Sequence, residues 1–510
     1  MNLRIRTFFI ISSLFTIGCA NGQNGGTISD DDPETSQAYA EAFLQANARG
    51  LAILNKAWQA HGDIADSSLV VALTIEVKEG IHRSQSLVVD PPYERYHLEN
   101  RFFIDRKNGI EVGHFMNRFA GFDFVNIIIT DDEASRDYNV LTKKYTDATS
   151  SGFDNFRYFP HPYINAALAR PQHVCYEGSV DYKGKVVNRI FAGGGSSARR
   201  LYFDAEEGRL LRVEYLRNNE PYGDGVSFKD FSNFEKFGPL TLPQVIASGG
   251  NYSAGGEVVN RFELRAIDPV VNRPTHEQMI GFAPADYSQV VKNQLTELGN
   301  NIYMIENITE SMEGDDYNVM FAVFEKFILV GEAPVNAATS EKVLRHIRSV
   351  SDKPIKYLVQ SHHHNDHWGG IRTYIAEGAT IITTEGNAAI LIRIASAPSV
   401  LNPDRQSEDP KPLSIDLVTE RLQMNDSANA ALIYDVGPTN HAIEMLIVYF
   451  PEQGLLWQAD LISYGEWDLN DPRSDHLLNK IKSLNLKVKK IAGVHGQIFE
   501  GEELQKWLSK

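Results

Sequence analysis

One short stretch constrains this chain more than any other: Ser361-His362-His363-His364-Asn365-Asp366-His367-Trp368-Gly369-Gly370. Four histidines and an aspartate fall within six residues. The run follows an apolar segment, Ile355 to Val359, that reads as a buried strand. A strand fixes its own backbone, and a loop leaving its end lets successive side chains converge. Imidazoles and carboxylates gathered in this way suit zinc, with iron or manganese as the other metals such donors take. Taken alone, the run also fits a surface polyhistidine patch, so the rest of the chain has to decide.

Three later residues supply what a metal site would need. His441 closes Gly437-Pro438-Thr439-Asn440-His441, just before an apolar strand. Asp460 ends the strand Leu455-Leu456-Trp457-Gln458-Ala459. His495 follows Ile491-Ala492-Gly493-Val494 and precedes Gly496. Singly, each reads as a loop histidine or a turn aspartate. With the run they make seven candidate ligands, each at a strand end: His362, His364, Asp366, His367, His441, Asp460 and His495. His61, His82, His97, His114, His161 and His173 are scattered without ligand-like spacing and read as structural or surface residues.

A length of 510 residues suggests two or three domains. Residues 37–61 carry apolar side chains at three- and four-residue steps, which predicts a helix stopped by Gly62. From 67 to 268 the pattern changes to period two with Gly- and Asp-containing turns, which predicts one large antiparallel sheet carrying that helix. Gly193-Gly194-Gly195-Ser196-Ser197 lacks the Lys and the helix of a phosphate loop and reads as a hairpin turn. Residues 269–289 read as a Pro-containing connector, and 290–510 as a second domain of mixed strands and helices in an αββα pattern. The expected fold class is α+β.

The formal net charge of -17 argues against nucleic acid as a partner, because proteins that bind it neutralise phosphates with Lys and Arg. A small-molecule substrate is expected instead. Two cysteines, Cys19 and Cys175, exclude a disulfide framework. The first 18 residues read as a signal peptide: a basic start, a short apolar run, then Gly18 before Cys19. Cys19 resembles the lipidated cysteine of a bacterial lipobox, although Thr16 stands where Leu is usual. This implies an exported, periplasmic or outer-membrane lipoprotein, tethered to the membrane through Cys19 and a flexible segment, 19–36. Cys175 would then be left as a free, buried thiol.

His362, His364, Asp366 and His367 are similar to the His-x-His-x-Asp-His signature of the metallo-β-lactamase superfamily, and His441, Asp460 and His495 match its later ligand positions in order. The resemblance covers the domain at 290–510. It implies that His362, His364 and His441 hold one metal, that Asp366, His367 and His495 hold a second, and that Asp460 bridges them. It implies two zinc ions and a shared hydroxide that attacks an ester, lactone, thioester, amide or phosphodiester bond, with Asp366 also counted as catalytic. Asp460 resembles the bridging carboxylate of the glyoxalase II, lactonase and phosphodiesterase branches, where true β-lactamases usually carry Cys or Ser. Glu332 replaces the aspartate usual after the second strand and is expected outside the ligand set. His363 and Asn365 are the spacers, and His363 is expected to tolerate substitution.

Trp368, Tyr464 and Trp467 are placed at the mouth of the site or in packing around it. The segment from Leu201 to Pro243 resembles, in strand rhythm alone, the half-barrel of periplasmic lipoprotein-carrier proteins, which implies an apolar groove. Two other readings follow: a mononuclear iron dioxygenase acting on a sulfur compound, and a lipid- or lipoprotein-binding module with a secondary metal domain.

Overall fold

The computed structural model describes residues 33–510 apart from 65, 67, 82–84, 90–91, 120–121, 149–158, 195–196, 267–273, 287–291, 310–316 and 466–468. The expectations for the signal peptide, Cys19, most of the tether, His82 and Trp467 lie outside the described residues. Among the described residues the protein is mixed α+β, with three sheets and few helices. No helix among the described residues is long and apolar enough to cross a membrane.

The first helix among the described residues is long, Pro33–His61. Leu54 and Ala57 on one stripe are fully buried in a core shared with Val174, Leu240 and Ile246 of the first sheet. This is the expected outcome for an amphipathic helix: its apolar face is removed from water against a sheet. The first sheet has fourteen strands. Six strands between Val70 and Asp147 form one meander, and seven between Val174 and Ala266 form another. They become one sheet where Val70–Gly80 pairs antiparallel with Gly256–Ala266. Sequence periodicity anticipates these strands but not the helix His161–Leu168 between the two meanders, which is short and opens with Pro162 in its first turn. Part of the expected connector joins this sheet, since Ala283–Pro284 pairs with Lys144–Tyr145.

Cys175 starts the second meander and is 2 % exposed. It is disulfide-bonded rather than free, which corrects the expectation of a free thiol. A buried thiol committed to a covalent bond is closed to the reactions of an exposed one.

The remaining two sheets have seven and six strands. Side chains alternate across each strand, so one strand feeds two cores. Met320 and Ala322 point into a core filled from the other side by Ile433, Val448 and Leu456 of the six-stranded sheet. Val319, Phe321 and Val323 point the opposite way, against helices at Ala337–Val350, Ile371–Glu377 and Glu385–Ser396. Leu477 and Ile481 of the helix Pro472–Ser483, and Trp507 of the last helix, close the first of these cores. Tyr222, Ala254 and Tyr252 of the first half join the second, so the two halves of the chain share apolar packing.

Candidate metal centre

Strand direction explains why seven residues spread over 134 positions meet. In the seven-stranded sheet, Ile328–Gly331 and Ile355–Val359 run parallel. Parallel strands end at the same edge, so Glu332 and the histidine run emerge together. In the six-stranded sheet, Leu455–Gln458 and Lys490–Gly493 also run parallel and bring Asp460 and His495 to one edge. Leu446–Phe450 is antiparallel to Leu455–Gln458, so the segment before it, with His441, starts at that same edge. The Leu446 amide donates to the Ser361 carbonyl at 2.9 Å and stitches the two edges together.

The run itself bends from strand into the short helix Asn365–Trp368. Gly369 permits this approach: a Cβ there would lie 1.9 Å from the Val335 carbonyl oxygen. Glu332 sits at a φ of +77°, a conformation a residue with a side chain seldom adopts. Its carboxylate accepts from the Ser361 amide at 3.1 Å and from the Gln360 side chain at 3.3 Å, which braces the start of the run from outside the donor set.

The donor atoms fall into two groups: His362, His364, His441 and Asp460, then Asp366, His367 and His495, with the atoms of each group within 4.8 Å of one another. Asp460 links them. Its Oδ2 lies 3.1 Å from His362 Nε2, 3.0 Å from His441 Nε2 and 2.8 Å from His367 Nε2. Its Oδ1 lies 3.1 Å from His495 Nε2. Ser361 Oγ bonds His362 Nδ1 at 2.8 Å and so turns Nε2 of that ring inward. Asp366 is the most open of the seven, with its side chain 25 % exposed.

The electrostatics are those of a carboxylate enclosed by imidazoles. Burial and the neighbouring rings push His362 and His364 well below the ordinary histidine range. Burial opposes charge on His367 and His495 as well, but the Asp460 carboxylate outweighs it and holds both above that range. Burial would raise Asp460, yet His367, His441 and His495 hold it well below the usual carboxylate range. The residues fit a metal on a separate ground. Nδ1 of His364 is buried and has no hydrogen-bond partner. Such groups are costly unless something accepts their lone pairs.

Not every expected residue is at the site. Trp368 is fully buried in the core against Tyr222, at 6.3 Å between ring centroids, rather than at a mouth. Tyr464 stacks on Phe499 at 4.4 Å and bonds the Glu503 carboxylate. His363 stays out of both donor groups but is buried beside Trp368. Sequence reading misses Tyr317, whose hydroxyl reaches Asp366 Oδ2 at 3.3 Å and whose ring lies 4.7 Å from that of His495. It misses Gln85 and Ser86 as well, which reach Asp366 and His364 from the first half. Neither residue type nor spacing marks these three.

No protein-family model matches the chain. Among solved structures it is similar to a metallo-beta-lactamase from Pontibacter korlensis, with 18 % identity, 42 % of this chain and 97 % of that one covered, and a TM-score of 0.33. It is similar also to the metallo-beta-lactamase FIM-1 from Pseudomonas aeruginosa in its mono-zinc form, with 17 % identity, 44 % and 96 % covered, and a TM-score of 0.32. For TMB-1 the figures are 18 % identity, 42 % and 95 % covered, and a TM-score of 0.31.

Proposed function

We propose that the chain is an exported metal-dependent hydrolase of the metallo-β-lactamase type, holding two divalent ions, with zinc the first choice. The observation that carries this reading is the double donor set joined through Asp460. His362, His364 and His441 would hold one ion, Asp366, His367 and His495 the other, and Asp460 both. Two such ions would supply a nucleophilic water of lowered pKa and polarise the carbonyl or phosphoryl group under attack.

The chain's own residues do the rest. Asp366 lies at the open edge of the cluster, so substrate approaches from its side, and its carboxylate can hold the proton that the attacking water gives up. The buried donors, His362, His364 and His367, keep bulk water from the opposite side. Among the described residues no cysteine joins either donor group, and direct attack by water on an ester, lactone, thioester, amide or phosphodiester bond is the reaction that fits.

Metal analysis of the full chain, combined with a panel of those five bond types, tests the reading. Wild type should carry two ions and hydrolyse at least one member of the panel. The His364→Ala/Asp366→Ala double variant should lose both properties, and full zinc retention by it would sink the assignment. One iron per chain with oxygen consumption would instead establish a mononuclear dioxygenase. Bound acyl ligands without any hydrolysis would establish a binding module.

The export reading rests on residues 1–19. Two cysteines cannot serve both a lipid thioether at Cys19 and a disulfide within one chain. A mass spectrum of the N-terminal peptide decides between a diacylglyceryl cysteine, which tethers the protein to the membrane, and a disulfide-linked peptide, which releases it.

A further inference from the structure

The segment 85–89 lies between the first two strands of the fourteen-stranded sheet, 280 residues before the histidine run. Nothing in its sequence points to chemistry. Yet it touches the donor loops at three places. The Gln85 amide donates to Asp366 Oδ1 at 2.6 Å and to Asn365 Oδ1 at 3.2 Å. Only the NH2 end of the amide can face two oxygens, so this orientation is fixed by its partners. The Ser86 carbonyl takes the Nε2 proton of His364 at 3.0 Å. The Leu87 carbonyl takes the Ile443 amide at 3.0 Å, two residues beyond His441. The segment is itself held, by Ser86 Oγ on the Val88 carbonyl at 2.5 Å and by the Leu87 amide on Glu94 at 2.5 Å.

We propose that residues 85–89 are a working part of the metal centre, with the Ser86 carbonyl fixing the tautomer of His364 and Gln85 positioning Asp366. This rests on the metal reading above. A neutral imidazole has one proton. Once Nε2 spends it on Ser86, Nδ1 of His364 must present a lone pair, and that is the buried atom left without a partner beside His362, His441 and Asp460. Gln85 and Tyr317 take one oxygen each of Asp366, so the most open donor is held from two sides. Partners of this kind fix ring orientation and donor basicity, and their loss costs about 10–100-fold in metal affinity. The first half of the chain is then required for chemistry that the second half carries.

The test uses the full chain, titrated with zinc against a chelator, as wild type, Gln85→Ala and Gln85→Met. Gln85 is half-buried, so neither variant opens a core. The weaker of the two zinc affinities should fall about 10–100-fold in both variants. The tighter affinity and the metal-free Tm should stay as in wild type, and the cobalt-substituted spectrum should change for one ion only. Equal loss of both affinities together with a lower metal-free Tm would show a merely structural contact and overturn the proposal. So would two ions bound as tightly as in wild type, and that result leaves the hydrolase reading standing. A wild type that binds no zinc overturns both. For Ser86, nitrogen NMR of the metal-free full chain should find His364 protonated at Nε2, and the opposite tautomer would overturn that limb.

Discussion

Asp460 is the residue on which the site turns. Four imidazoles lie within about 3 Å of its two oxygens, and its charge is what the cluster is built to balance. Asp460→Asn keeps the shape and removes the charge. Bound metal should fall from about two ions to about one per chain, because a neutral amide cannot join two cations. Elemental analysis of the dialysed variant checks this. His363 makes the opposite case. It stands in the middle of the triple histidine but offers no atom to either donor group. His363→Ala should therefore keep its full metal content. Its ring is nevertheless buried beside Trp368, so the substitution leaves a cavity and should cost about 2–4 kcal/mol, seen as a lower Tm. Tolerance of substitution, expected from its role as a spacer, is therefore predicted for the metal and not for stability.

At the scale of elements, the end of the first helix carries a titrating device. His61 donates Nδ1–H to the Thr241 carbonyl at 3.1 Å, and its Nε2 accepts from the Leu210 amide at 3.0 Å. Both ring nitrogens are thereby committed in the neutral form, and a second proton would face the Leu210 N–H. His161 is buried against it, with Nε2 on the His61 carbonyl at 3.3 Å. Burial above all pulls both rings from 6.5 down to about 4. Above pH 6.5 neither folded nor unfolded chain takes the protons, and the contribution to stability is fully present. Between 6.5 and 4 the unfolded chain takes them and the folded chain does not, so stability falls as pH is lowered. The slope approaches about 1.4 kcal/mol per pH unit per imidazole, and the loss levels off below pH 4. Urea midpoints of wild type and His161→Phe at pH 7 and pH 5 check this: the variant should show the shallower decline.

A second element-scale clamp is Arg372. It is buried, pairs with Asp404 at 2.5 Å, and donates to the carbonyls of Ile394 and Ala397. One guanidinium thus ties the helix Ile371–Glu377 to the loop at 398–412. Arg372→Met leaves Asp404 without its partner and should cost about 3–5 kcal/mol in denaturant unfolding.

For the whole molecule, the two halves work as one body around the site. Asp224 of the first half accepts the amides of Val400 and Leu401 at 2.6 and 3.2 Å, while its own amide donates to the Pro398 carbonyl at 2.8 Å. Asp224→Ala strands those two amides and should cost about 1–3 kcal/mol. Unfolding followed separately by fluorescence and by bound metal should shift to lower urea together, since the loop and the centre are braced by the same first half.

Local signals in the chain reached far in this protein. Period-two alternation and turn residues announce the strands, and the end of a strand announces where a loop begins. The clustering of the seven candidate donors was legible because each is a residue type with few other uses at a buried strand end, and because four of them lie within six residues. The helix His161–Leu168 was not legible, since eight residues with proline in the first turn give too short a period to stand out. Glu332 was visible as a departure at its position, but its left-handed backbone and its grip on the run were not.

The sequence by itself determined which seven residues stand as candidate donors, their order and the mixed α+β character, because these follow from residue type and from short-range periodicity. Only the tertiary structure decided that Trp368 belongs to the core, that Cys175 is not free, and that Gln85 and Ser86 stand behind Asp366 and His364. The reason is physical. A carbonyl oxygen and an amide side chain carry no signal of their own. They acquire a role only when strand pairing brings a segment 280 residues away to within hydrogen-bonding distance.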